Sequence, residues 1–398
     1  LAKRILLTSG RVPSALELAR ALARAGCHVV VADSYPTFIC QGSRAVAKAY
    51  VVPPPRQQPA SYELAIIEII KRERIELLVP ASEEVLYLAS FAAEIQKYCT
   101  FFFADALLMR QCHHKQNFND MAHAMGLNVP PSTLLLKGSS VAQKLTQDDF
   151  VLKRCYSRGG SRVIFAKAGT DPEACDVPMD GSWLIQKKIP GETLCSFSVV
   201  QNGRLLKTQL YRPSVTLGHI GVVFQSIRDA RMEQWIETFV RKTNYHGFLS
   251  FDFQRTPAGD IFALECNPRI TSGIHLVNPD VLAQAILNPD HPLPQKASRS
   301  RAQIVLGVVT ALPDILSSPR MAWKTLRECF RAPDVMFAWS DLWPLLYQIK
   351  CYLYFFKICR RERFPLSSCT MDGIEWNEER SGQEEAPPRA RPNLINQV

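Results

Sequence analysis

The chain of 398 residues is 47% hydrophobic and 21% charged, which excludes a disordered or fibrous protein and leaves room for two or three domains with cores of their own. Its net charge of +10 favours anionic partners such as nucleotides, nucleic acid or membrane surfaces. No aromatic–basic interleaving and no nucleic-acid motif occurs, so nucleic acid is set aside as a partner.

In chain order, residues 4–8 (RILLT) predict a strand running into Ser9-Gly10-Arg11. SALELARALARAG then places apolar residues at helical spacing, with Gly26 as a C-terminal cap. HVVVAD is the next strand, so the chain opens as β-α-β with a right-handed crossover and a parallel sheet. A helix over 61–73, the strand IELLVPAS and a helix from near Glu83 complete a doubly wound α/β domain over 1–103. The first strand–helix turn lacks GxGxxG, which rules out a nicotinamide-type fold there. The carboxyl ends of these strands form the expected substrate crevice, with Ser9, Arg11, Glu83 and Glu84 as candidate contacts.

A second region, 104–183, holds a helix with Lys115, the link LNVPPS and the strand-like run DFVLKRCYSRGGSRVIFAKA. A third, 184–295, opens on WLIQKKIPGETLCSFSVVQNGRLL, where Asn202-Gly203 marks a hairpin. A helix over 231–243 leads into FLSFDFQRTPAGDIFALECNPR, a second hairpin that turns around Pro257–Gly259. Helices mixed with antiparallel strands give an α+β pattern.

Residues 296–371 read as a helical extension. Within it, 335–360 is aromatic-rich but broken by Lys350 and Lys357, and its uninterrupted apolar length falls short of a membrane span. A helix packed on the body, or on a second subunit of a homodimer, is favoured over peripheral membrane contact by an interfacial helix with snorkelling lysines. Residues 372–398 read as a disordered tail. Twelve singly scattered cysteines, with no CxxC pair and no basic-then-apolar leader, point to reduced thiols in the cytoplasm. Cys112-His113-His114 has no second ligand pair at suitable spacing, so no metal is placed there.

Three stretches carry chemistry. In IFALECNPRIT, Glu265 and Asn267 share a strand face, and the hairpin brings Asp252 beside Glu265. Two carboxylates and an amide oxygen suit magnesium, which takes its remaining ligands from phosphate and water. Arg269 offers a planar fork to phosphate oxygens, and Pro268 keeps Asn267 extended. In VLKRCYSRGGSRVIF, Lys153 sits inside an apolar strand, where an unpaired ammonium is costly and a phosphate partner resolves the cost. Gly159-Gly160 then let backbone N–H groups approach phosphate closely. In LIQKKIPGE, an extended strand running into a Pro-Gly turn presents backbone groups to an adenine edge, with Glu192 placed to accept from ribose hydroxyls.

The order of these motifs over residues 1–295 resembles the ATP-grasp superfamily, in which two α+β subdomains grip ATP and a preceding α/β domain helps form the substrate site. The resemblance implies that Lys115 and Lys153 contact the nucleotide and that Ser157, Arg158, Gly159, Gly160 and Ser161 close over its phosphates. Gln186, Lys187, Lys188 and Ile189 would line the adenine slot and Glu192 would bind ribose. Asp252, Glu265 and Asn267 would hold magnesium, or manganese in its place, and Arg269 with Lys153 would stabilise the transferring phosphoryl group. IPGETLCSFSVVQNG, SFDFQ…AGDIFALECNPR and the aromatic extension are similar to a narrower group, the mycosporine-glycine synthase-like ligases. YSRGGSR and PASEEVLYLA depart from that group's pattern. The implied activity is ATP-dependent joining of a small-molecule acid, or a vinylogous acid, to an amine such as an amino acid. Arg212 would bind a substrate carboxylate, and Ser272 and His275 would line the acceptor site. The alternative is a non-catalytic nucleotide-binding or membrane-associated scaffold that uses the aromatic, basic segment.

Overall fold

A computed structural model describes residues 2–157, 163–217, 220–305, 319–362, 371–376 and 396–397. The first layer is a parallel sheet of β1 (Arg4–Thr8), β2 (His28–Asp33), β3 (Lys48–Val51), β4 (Leu77–Val79) and β5 (Thr100–Phe101), in the order β3-β2-β1-β4-β5. Side chains alternate across it. Ile5 and Leu7 join the core of the helix Pro13–Arg24, while Leu6 joins that of the helix Pro59–Glu73. Both helices begin on a proline, whose missing N–H has no helical acceptor at that position. The order reverses beside β1, so the strand ends there open a crevice.

The second sheet is antiparallel: β6 (Ser132–Leu136), β7 (Phe150–Arg154), β8 (Val163–Ala166) and β9 (Asp180–Lys187), ordered β6-β9-β7-β8. The run 149–168 is therefore two strands. The division drawn at 183/184 falls inside β9, whose pairing with β6 and β7 keeps it in this sheet up to Lys187.

The third sheet comprises β10 (Glu192–Gln201), β11 (Arg204–Leu217), β12 (Ile220–Ile227), β13 (Gly247–Arg255), β14 (Ile261–Asn267) and β15 (Arg301–Gln303), ordered β14-β13-β10-β11-β12-β15. Its Asn202-Gly203 turn has both residues at positive φ, as a two-residue hairpin requires. The helix Ala230–Thr243 packs Trp235, Ile236 and Phe239 against Leu249, Phe251 and Phe253. β15 returns to β12, so the extension still contributes to this sheet.

The extension adds the helices Pro319–Arg331 and Trp343–Glu362. The longer one buries Cys351, Phe355 and Ile358 against the first domain; a Cβ on Gly42 would meet its Tyr347 ring at 2.4 Å. No helix among the described residues is long and apolar enough to cross a membrane. The tail assigned from 372 holds structure at both ends. Met371–Trp376 packs on the first domain, and Asn396–Gln397 pairs with Val51 and Tyr50. Among the described residues ten cysteines are free thiols and Cys359 is disulfide-bonded, so the all-reduced reading does not hold at that position.

Candidate active site

The site begins with a register shift. β13 and β14 pair Phe253 with Ala263 but Asp252 with Glu265, leaving Leu264 as an extra residue on β14. Without that bulge Glu265 would follow Ile261 and Ala263 into the core under the helix Ala230–Thr243. With it, Cys266 takes the core side, and Glu265 and Asn267 turn to the opposite face beside Asp252 and Ser250. Two carboxylates and an amide oxygen thus share one strip of sheet.

The other lobe faces this strip with Lys115 and Lys153, and Arg269 flanks it on the strip's own side. Lys115, first residue of the helix Lys115–Ala124, lies 3.6 Å from Glu265 and donates to the Ser157 carbonyl at 2.7 Å and hydroxyl at 3.2 Å. Lys153, buried on β7, donates to the Gln186 side-chain oxygen on β9 at 2.7 Å. Arg269 donates to the Asn267 side-chain oxygen at 2.8 Å, and its Nε lies 3.6 Å from Glu83 of the first domain.

The charges here are strongly perturbed. Burial and the facing Glu265 carboxylate raise the Asp252 carboxyl far above its ordinary range. Burial pushes Glu265 the same way, but Lys115, the hydrogen bond from Asp252, Lys153 and Arg269 outweigh it, so Glu265 is held low. Burial lowers Lys153 to about 8, against the pull of Glu265 and Asp252. Two facing carboxylates under such strain suit a hard divalent cation, and the amide oxygen has a lone pair beyond the one Arg269 uses. Among the described residues no group of three His, Cys, Asp or Glu side chains is placed to hold a metal ion, and the oxygen beside this carboxylate pair is the Asn267 amide.

The other expected residues divide. Gln186 faces inward at Lys153, whereas Lys187 and Lys188 point out to Asp148 at 2.6 Å and Asp149 at 3.7 Å. Ile189 is half-buried on the link between the lobes. Glu192 is held by Arg255 at 2.6 Å and Arg212 at 3.4 Å, so Arg212 belongs to that rim network and to Gln225. Ser157 lies at Lys115, while Arg158, Gly159, Gly160 and Ser161 lie outside the described residues.

In the first domain, Arg11 is not an open substrate contact. It is fully buried in an ion pair with Asp33 at 2.6 Å and stacked on Tyr35. Glu84 is likewise internal, accepting from the Thr8 hydroxyl at 2.6 Å and from the Ala81 and Ser82 N–H groups. Ser9 is buried, at a φ of 56° in the β1 turn. His275 is structural too: it faces buried Glu17 at 3.4 Å, which also binds Arg299, and so ties the 3₁₀ turn Ser272–Leu276 to the first helix. Ser272 is half-exposed at the start of that turn. Glu83 alone of this group reaches the end of β14, through Arg269.

No family profile and no curated protein matches the chain. Solved structures do. An N5-carboxyaminoimidazole synthetase from Staphylococcus aureus superposes with a TM-score of 0.61 at 11% identity, over 80% of this chain and 88% of that one. The biotin carboxylase domain of the Hydrogenobacter thermophilus 2-oxoglutarate carboxylase, solved with MgADP, ADP and bicarbonate, gives 0.57 at 16%, over 75% and 72%. A Campylobacter jejuni biotin carboxylase in a β,γ-ATP complex gives 0.57 at 17%, over 74% and 73%. The chain has the ATP-grasp fold. Its two antiparallel sheets correspond to the two lobes of that fold, and Lys115 and Lys153 of one lobe face Asp252 and Glu265 of the other.

Cys195 and Tyr211 escaped the sequence reading. Both lie in the row Glu265–Asp252–Cys195–Tyr211 that crosses the third sheet. Counting from the Asn202-Gly203 turn places Cys195 opposite Leu210; a register shift between Val199 and Val200 moves it to Tyr211. Desolvation beside Asp252 holds the Cys195 thiol far above its ordinary range and so neutral. The Tyr211 hydroxyl donates to Thr271 at 3.3 Å and fixes the turn after Arg269.

Proposed function

We propose that this protein is an ATP- and magnesium-dependent ligase that joins an acid, or a vinylogous acid, to an amine and releases ADP and phosphate. The observation that carries the reading is the meeting of Lys115 and Lys153 with Asp252, Glu265 and Asn267 across the cleft, with Arg269 beside Asn267 on the carboxylate side. The structural neighbours solved with MgADP and with an ATP complex support it. Held between Asp252, Glu265 and Asn267, magnesium would neutralise charge on the nucleotide phosphates.

The chain's own residues supply placement and charge. Gln186 holds the Lys153 ammonium at a fixed point, where phosphate oxygens would relieve its burial. Lys115 ties the phosphate-loop entrance at Ser157 to the metal carboxylate. Arg269, steadied by Asn267 and Glu83, has guanidinium donors for a transferring phosphoryl group or an acid. The narrower similarity to mycosporine-glycine synthase-like ligases makes cyclohexenone-type acids and amino acids the substrates to try first. The test is an ADP- and phosphate-release screen of acids and cyclohexenone-type acceptors crossed with amino acids. The reading requires release that rises with one acid–amine pair; purified protein that consumes no ATP with any pair contradicts it.

A second reading adds membrane attachment. The outer face of the helix Trp343–Glu362 exposes Leu346, Ile349, Leu353 and Phe356, beside Lys350 and Lys357. Co-sedimentation with anionic liposomes that is equal for wild type and for Leu346→Glu/Leu353→Glu removes this reading.

A further inference from the structure

The crevice at the carboxyl ends of the parallel sheet is filled by the chain itself. Met371–Trp376 runs across it, from the ends of β1 and β2 to the loop after β4, and it is bonded at nearly every residue. The Asp372 carboxylate accepts from the Tyr35 hydroxyl at 3.2 Å, and its carbonyl accepts from Arg11 at 2.9 Å. The Gly373 carbonyl accepts from the Arg56 N–H at 2.9 Å. Gly373 has a φ of 78°, and a Cβ there would meet Pro54 at 3.0 Å. Ile374 is buried. The Glu375 carbonyl accepts from the Tyr87 hydroxyl at 2.8 Å, and its carboxylate lies 3.8 Å from Arg56. The Trp376 N–H donates to Glu83 at 3.1 Å, and its ring meets Tyr87 edge-on with the Arg110 guanidinium 5.4 Å away.

Among the described residues, Arg110 Nε, His113 Nε2 and Arg269 Nε at the far end of the crevice are buried without a hydrogen-bond partner, as is Nε1 of the segment's own Trp376. His113 and Arg269 approach the Glu83 carboxylate to 3.2 and 3.6 Å, outside hydrogen-bond geometry. Main-chain carbonyls are thus read by Arg11, Arg56 and Tyr87, acidic side chains by Tyr35 and Arg56, and an aromatic ring by Tyr87 and Arg110.

We propose that this crevice is a recognition site for an acidic, aromatic-ended peptide, and that Met371–Trp376 occupies it in cis. The site does not rest on the ligase reading, because peptide binding needs no nucleotide. Through Trp376, Glu83 and Arg269 its occupancy is linked to Asn267 on the metal strand. A tethered segment competes at an effective concentration on the order of 1 mM, so a free peptide with Kd near ~10 μM for the empty crevice binds the wild type roughly 100-fold more weakly.

The experiment measures fluorescence anisotropy of a labelled Met-Asp-Gly-Ile-Glu-Trp peptide, without nucleotide, on full-length wild type and on full-length Asp372→Ala/Trp376→Ala. The double variant is expected to bind at least tenfold more tightly than wild type. A peptide with alanine for both acids is expected not to bind. Gly373→Val, which expels the segment through its strained φ, gives the same release should the double variant fail to fold. The proposal is overturned if variants with a native melting transition bind neither peptide, or bind the acidic and neutral peptides alike. Failure of the ADP-release screen with peptide binding intact removes the ligase reading and leaves this site standing.

Discussion

Arg11–Asp33 and Asp252–Glu265 are both polar pairs at strand ends, and they differ in sign. The first joins opposite charges at 2.6 Å, with neither side chain exposed, and is complete in itself. The second sets two carboxylates face to face, raising Asp252 while Lys115, Lys153 and Arg269 hold Glu265 low. A complementary pair closes a structure, whereas a like-charged pair ringed by cations is a candidate for a ligand site. The strand end alone does not tell them apart; the partner does.

Breaking each pair separates the two roles. Glu265→Gln or Asn267→Ala should lower ATP turnover by about 10³-fold or more, with the melting transition kept, as read by ADP release and calorimetry. Arg11→Ala should do the reverse and destabilise the fold by about 3–5 kcal/mol, because it leaves Asp33 buried without its cation. Chemical denaturation measures that loss. Lys153→Met is intermediate, with kcat/KM for ATP down about 10²-fold and little change in stability. Asp252→Asn removes the like-charge contact, so the nucleotide-free protein should melt roughly 2–4 °C higher while magnesium-dependent turnover is lost.

The smallest effect is a pH slope. On folding, burial lowers Lys153 from 10.5 to about 8. Between those values the unfolded chain holds the proton and the folded chain does not, so stability from this group rises with pH across that window. Urea midpoints of wild type minus Lys153→Met, taken from pH 8 to 10.5, should show that rise.

What was legible in the sequence was local. Alternation along IFALECNPR placed Glu265 and Asn267 on one face, and Asn202-Gly203 gave its hairpin. An apolar strand holding Lys153 marked the second lobe. The rest depended on register and on distant partners. One extra residue at Leu264 decides which face Glu265 takes, and another shift near Val199 decides that Cys195 meets Tyr211; neither has a glycine or proline to announce it. Arg11, Glu84 and His275 looked like site residues because their partners Asp33, Thr8 and Glu17 come from other elements. Asp372–Trp376 reads as tail because its acids and glycine suit disorder until Arg11, Arg56 and Tyr87 receive them.

The most direct test of the metal-nucleotide site is calorimetric titration of ADP into wild type and Glu265→Gln, each with and without magnesium. Wild type should bind ADP much more tightly with magnesium, by about tenfold or more, and Glu265→Gln should lose that enhancement while keeping its melting transition. Equal ADP affinity with and without magnesium in wild type, or an unchanged enhancement in Glu265→Gln, would show that Asp252, Glu265 and Asn267 do not hold the metal.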